Sequence, residues 1–145
     1  MSASSGDRGL TSHQQLDAAR DAALAAMANA YAPYSSFRVG AAIICGDGSI
    51  SVGCNVENCA YPAGLCAERA ALSSAIASGQ RTFSVLVVMT EADDPTPPCG
   101  LCRQALVEFA PSLEVVSVTS RGATARWGLG ELLAHPFTPA SLAHT

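Results

Sequence analysis

The sequence predicts an α/β fold, a three-layer α/β/α sandwich around a mixed β-sheet. Three observations predict it. Helical and strand-like periodicities alternate as helix, two strands, helix, strand, helix, strand. The first two strands are joined by a tight Gly46-Asp47-Gly48 turn, and the next two strand candidates each follow a helix. At 145 residues the chain has room for one domain with a real core. We expect a flexible, polar, Gly/Ser-rich tail over residues 1–11 and a single domain over residues 12–145.

Ser12 and Gln15 can form a capping box, after which Leu16, Ala19, Ala23, Leu24, Met27 and Tyr31 recur at helical spacing until Pro33. Tyr34-Ser35-Ser36 turns the chain into an apolar, β-branched run from Phe37 to Cys45, which reads as a strand. The Gly46-Asp47-Gly48 turn returns it as Ile50 to Val56. Beyond a loop over Glu57 to Leu65, the alanine-rich segment Cys66 to Ser78 is a helix closed by Gly79. Phe83 to Met89 is the third strand. The acidic loop Glu91 to Pro98 carries three prolines and should be exposed until Cys99 opens a helix reaching Phe109. Leu113 to Val118 is a fourth strand, Ala123 to Trp127 a short fifth, and Leu129 to Leu133 a helical turn before a polar tail.

Composition narrows the function. Hydrophobic residues make up 49% of the chain and charged residues only 14%, more apolar surface than a small solvated monomer needs, so self-association is expected. The net charge of −4 comes with eight scattered arginines, no lysine and no basic run, which argues against a nucleic-acid polymer as partner. The N-terminal residues lack the pattern of a signal peptide, and no apolar stretch is long enough to span a bilayer. We therefore expect a cytoplasmic protein with no membrane partner. In a reducing compartment the six cysteines are thiols, with Cys45, Cys54 and Cys59 acting as small buried hydrophobes.

The other three cysteines carry the chemistry. Cys66-Ala67-Glu68 and Pro98-Cys99-Gly100-Leu101-Cys102 supply three thiolate ligands and one carboxylate outside the ligand set. Tetrahedral Zn²⁺ with three protein ligands keeps a fourth position for water, and the free carboxylate of Glu68 can move that water's proton. A C-x-x-C can also be a redox pair or half of a structural zinc knuckle. The redox reading is weakened by the long loop before Cys99, and the structural one by the lack of a second C-x-x-C. Both cysteine blocks stand where helices should begin, so N-terminal N–H groups and helix dipoles favour thiolates there. His13, His135 and His144 lie outside both blocks and read as surface or packing residues.

Three cysteine ligands, an adjacent non-ligating glutamate and the P-C-x-x-C spacing make up the general signature of zinc deaminases. The chain resembles the small, zinc-dependent, homotetrameric cytidine deaminases, over about Ala32 to Leu142, in its C-A-E-R, P-C-G-x-C-R-Q and Asn55-Val56-Glu57-Asn58 blocks. That resemblance implies the family's five-stranded core. It implies Zn²⁺ on Cys66, Cys99 and Cys102, with Glu68 as proton shuttle and Arg69 hydrogen-bonded to the ligand sulfurs. It also implies a nucleoside held by Asn55 and Glu57 at the ribose, by Phe37 in packing, and by the Ala67 N–H at the base O2. Tyr61 and Phe137 match positions that reach a neighbouring subunit's site in the family's tetramer. The activity implied is hydrolytic deamination of cytidine and 2′-deoxycytidine in pyrimidine salvage. Arg38 and Cys59 depart from the family pattern, where Pro and Ala are common, and bear on pocket shape. A blasticidin-type deaminase shares the zinc blocks, but would have no obvious need for the ribose block; a non-catalytic zinc-stabilised module stays open at this point.

Overall fold

The computed structural model describes residues 12–143; the tail expected over residues 1–11, and His144, lie outside them. Five strands, β1 (Val39–Cys45), β2 (Ile50–Cys54), β3 (Phe83–Thr90), β4 (Glu114–Thr119) and β5 (Thr124–Gly128), form one sheet in the order β2-β1-β3-β4-β5. Only β3 and β4 are parallel, so the sheet is mixed as expected. Helix α1 (His13–Met27) covers one face; α2 (Ala67–Ala77), α3 (Gly100–Val107) and the short α4 (Leu129–Leu132) cover the other.

Strand alternation creates the two cores. Ala42, Ile44, Val85, Val87, Met89, Val116 and Val118 meet Leu16, Ala19, Ala23 and Met27 of α1. Ala41, Ile43, Leu86, Val88 and Val115 meet Ala67, Ala71, Leu72 and Leu106 on the opposite face. This period-two division, with both faces covered, makes the central strands near-continuous apolar runs.

Local signals act where the sequence placed them. The Ser12 hydroxyl accepts from the Gln15 N–H at 3.1 Å while the Ser12 N–H donates to the Gln15 side chain at 3.3 Å, a complete capping box. Gly48 at φ 88° turns the β1–β2 hairpin and Gly79 at φ 94° ends the chain's exit from α2. Two other glycines admit helices close to the sheet. A Cβ on Gly40 would stand 2.7 Å from the Met27 backbone nitrogen, and one on Gly53 would stand 2.6 Å from the Ala67 carbonyl and 2.7 Å from the Ala70 side chain. Neither helix can yield without losing its packing, so Gly53→Ala lowers stability by about 1–3 kcal/mol. A melting temperature equal to wild type would refute that account.

Some boundaries differ from the expectation. Helix α1 stops at Met27, and Tyr31 is not on its apolar stripe. Its N–H donates to the Asn55 carbonyl at 3.0 Å and its carbonyl accepts from the Glu57 N–H at 2.8 Å, pairing it beside Val56 and leaving its side chain 54% exposed. Leu24 likewise faces outward. Phe37 and Arg38 precede β1 rather than belonging to it, because Ser36 takes a left-handed φ of 56° and holds the chain in a turn. The loop over residues 91–98 is largely exposed, yet Pro98 is buried and the Thr96 carbonyl accepts from the Ser117 hydroxyl at 2.8 Å. Cys45 is buried and Cys54 half-buried, but Cys59 is exposed within a solvent-facing loop, so it is no buried packing residue.

Candidate active site

Cys66 and Cys99 are the N-cap residues of α2 and α3, both with extended backbones, and Cys102 lies in the first turn of α3. Because the sheet fixes both helix starts, side chains from two distant segments converge. The Cys66 and Cys99 sulfurs are 3.7 Å apart, those of Cys99 and Cys102 3.4 Å, and all three lie within 4.8 Å of one another. Cys102 is buried, Cys66 half-buried and Cys99 exposed, so the cluster has a closed side and an open side.

Glu68, in the first turn of α2, is only 5% exposed. Burial raises its carboxyl above the usual carboxylate range, more than its hydrogen bonds and the neighbouring Arg69 charge bring it down. The Arg69 guanidinium donates to the Cys66 sulfur at 3.5 Å, which raises its pKa, and its Nε is buried with no acceptor. Burial also pushes the Cys102 thiol well up, the Glu68 charge adding to it. Burial works against Cys99 too, yet the Cys102 N–H and the neighbouring sulfurs bring Cys99 below an ordinary thiol.

The sulfurs open into a cleft of about 250 Å³ lined by Ser35, Phe37, Val39, Asn55, Glu57, Cys66, Ala67, Glu68, Val88, Thr90, Thr96, Pro97 and Cys99. Phe37, Asn55, Glu57, Ala67 and Glu68 therefore share one cavity with the cluster. Ala67 is the first residue of α2, where an N–H has no intrahelical acceptor. Asn55 and Glu57 also brace the opposite wall. The Asn55 amide donates to the Phe37 carbonyl at 2.7 Å and accepts from the Val39 N–H at 2.8 Å. The Glu57 carboxylate accepts from the Tyr34 N–H at 2.9 Å, the Ser35 N–H at 3.1 Å and the Ser35 hydroxyl. That hydroxyl, foremost, holds Glu57 below the usual carboxylate range.

Tyr61 and Phe137 stand apart from the cleft. Tyr61 is 78% exposed and packs edge-on against Tyr34 in a shallow depression that meets the cleft at Ser35 and Glu57 without Tyr61 lining the cleft itself. Phe137 is 57% exposed on the segment after α4. His13 and His135 are exposed and outside the sulfur cluster.

The family model for the cytidine and deoxycytidylate deaminase zinc-binding region matches residues 13–119, which include all three cysteines and Glu68. The chain belongs to this deaminase family. A cytidine deaminase of Sporosarcina psychrophila is 40% identical over 116 residues, covering 79% of this chain and 85% of the relative. A probable cytidine deaminase of Dictyostelium discoideum is 38% identical over 130 residues, covering 89% and 88%. The crystal structure of a Burkholderia pseudomallei cytidine deaminase is 45% identical with a TM-score of 0.81, covering 88% of this chain and 100% of that one.

Zn²⁺ fits this deaminase site on its own geometry. Three converging sulfurs form the closed part of a tetrahedral set, Glu68 lies beside them as a carboxyl outside the set, and the unpartnered Arg69 Nε is buried beside the cluster where thiolate charge would collect. Sequence reasoning missed several residues that line or brace this deaminase cleft. Ser35, Thr90 and Thr96 carry no motif; only the alternation that turns Val88 and Thr90 to one face could have pointed to Thr90. Arg103 was also missed. From the P-C-G-L-C-R-Q block it donates to the Pro98 carbonyl and to the Leu132 carbonyl, each at 2.7 Å, tying the approach to Cys99 to the end of α4.

Proposed function

We propose that this chain hydrolyses cytidine and 2′-deoxycytidine to uridine and 2′-deoxyuridine, releasing ammonia, in pyrimidine salvage. The observation that carries the reading is the buried Glu68 carboxyl beside three converging sulfurs at the floor of an open cleft. Zn²⁺ held by Cys66, Cys99 and Cys102 supplies the Lewis acidity that lets water lose a proton near neutral pH. Glu68 takes that proton and delivers it to N3 of the base as oxygen adds to C4. The carboxylate then takes the proton of the hydroxyl newly added at C4 and passes it to the 4-amino group, so that the C4–N bond breaks as the C4 carbonyl forms and ammonia leaves. A carboxyl whose affinity for protons is raised by burial suits both transfers. A contact from the Ala67 N–H to the base O2 is supported by its position in the cleft lining at the start of α2, where an N–H has no intrahelical acceptor. Ultraviolet-monitored turnover of cytidine by protein of known zinc content tests the reading. Full zinc with no turnover of any cytosine nucleoside would replace it with a zinc-stabilised binding module.

The ribose fits what remains on the bracing residues. With one bond donated to and one accepted from the 37–39 backbone, Asn55 keeps one N–H and one lone pair; with three bonds accepted, Glu57 keeps one lone pair. One donor and one acceptor on the same cleft wall suffice for a single hydroxyl, so the 2′-hydroxyl need take no part. Glu57→Ala raises KM about tenfold for cytidine and deoxycytidine alike. A loss confined to cytidine would contradict the single-hydroxyl account. Because the Glu57 carboxyl is held below its usual range, its bonds to the 34–35 loop persist above that range and are lost only as pH falls through the lowered value.

Arg69 offsets the net negative charge of three thiolates on Zn²⁺. Arg69→Gln raises the pKa governing the acidic limb of the pH–rate profile and weakens zinc retention by about 10–100-fold. An unchanged profile and metal content would sink that role.

The proposed working form is a cytoplasmic homotetramer with shared sites, in which Tyr61 and Phe137 of one copy meet a neighbour's cleft. The cleft of about 250 Å³ falls below the roughly 300–1,000 Å³ of small-molecule pockets, and both aromatics lie exposed outside it. Among the described residues no helix is long and apolar enough to cross a membrane. Sedimentation showing only monomer at micromolar concentration would remove the tetramer.

A further inference from the structure

Phe137 is a large aromatic left on the surface, with no aromatic neighbour among the described residues. Its ring is exposed, but its backbone is not free. The Gln104 side chain donates through Nε2 to the Phe137 carbonyl at 2.7 Å and accepts the Phe137 N–H on Oε1 at 3.3 Å. One amide thus satisfies both backbone groups of one residue, as a strand partner would. Between Leu133 and Thr138 the described residues show no other hydrogen bond to the segment, which belongs to no helix or strand. Arg103, the residue before Gln104, holds the Leu132 carbonyl. Two consecutive side chains of α3, which also carries Cys102, therefore fix both ends of the segment that presents Phe137.

An exposed aromatic does not need a fixed backbone for solubility or for packing within its own chain. We propose that Gln104 is a positioning residue for Phe137, aiming it from the cysteine-bearing helix into the base pocket of a second copy of this chain. The proposal rests on the shared-site reading above. Gln104 touches no substrate; it spares Phe137 the entropy of searching for its bound position, so its loss falls on substrate binding rather than on proton transfer.

The test is steady-state kinetics on cytidine for the zinc-loaded Q104M, F137A and Q104M/F137A variants, with sedimentation of each. Q104M keeps the side-chain length and removes both hydrogen bonds. It is expected to raise KM roughly five- to tenfold, with kcat within about twofold and the assembly unchanged. F137A should raise KM further, and the double variant should be no worse than F137A alone. A wild-type KM in Q104M beside a raised KM in F137A overturns the positioning role, as does multiplication of the two effects in the double variant. A wild-type KM in F137A defeats the shared-site reading and the role of Gln104 with it. If Q104M fails to fold, Q104E takes its place, since it keeps the acceptor for the Phe137 N–H and loses only the donor to its carbonyl. A wild-type KM there also overturns the proposal.

Discussion

Glu68→Gln is expected to cut turnover of cytidine by at least roughly a hundredfold while the protein stays folded and keeps its zinc. The two side chains have nearly the same shape, and the position lies in the first turn of a helix packed against the sheet, so the substitution leaves backbone and sulfurs in place. What changes is the proton inventory. An amide neither takes a proton from water nor delivers one to a ring nitrogen, and burial leaves no room for solvent to substitute, because Glu68 is only 5% exposed. Zinc content measured beside the rate separates this from damage to the metal site. A zinc-loaded variant turning over within about tenfold of wild type would remove Glu68 from the reaction.

Cys102→Ser should be worse, because it removes the site rather than the shuttle. Cys102 is the fully buried member of the sulfur cluster, 3.4 Å from the Cys99 sulfur. A serine oxygen is a shorter and harder donor, and an unligated hydroxyl there would be buried without a partner. Loss of groups that merely orient ligands costs about 10–100-fold in metal affinity, which sets a floor for loss of a ligand. The variant should emerge from dialysis against a chelator without zinc, melt below the wild type, and match the melting of wild type stripped in the same way. Stoichiometric zinc after that treatment would show that two sulfurs suffice.

Much of this architecture is legible before any coordinates, because its signals are local. The capping box at Ser12, the Gly46-Asp47-Gly48 hairpin, the apolar runs of β1 and β3 and the two cysteine blocks each declare themselves within a few residues. The failures share a cause as well. Tyr31 has helical spacing, yet its backbone pairs with Asn55 and Glu57, far along the chain. Phe37 sits in an apolar run, yet a left-handed Ser36 keeps it out of the strand. The bonds from Asn55 and Glu57 to residues 34–39, from Arg103 to Leu132 and from Gln104 to Phe137 join segments that only tertiary packing brings together. No local preference encodes them, so motif reading finds the chemistry of the site and misses the bracing around it.

The helix that bears Glu68 meets the sheet through Ala67, Ala71 and Ala75, all fully buried, and through the bare backbone of Gly53. Among the helix's apolar residues only Leu72 and Ile76 keep rotamers on this face; alanine has no side-chain torsion to change, so where these alanines and Gly53 meet, the helix has no alternative packing to move into. Protein engineers seeking new substrates will find the Glu68 helix unyielding, since enlarging any of these residues moves the whole element. Adaptability lies instead at the rim, in residues 34–37, where side chains face solvent and hydrogen bonds, not close-packed backbone, fix the chain. A library confined to that stretch changes what the pocket admits while leaving the reacting groups where they are.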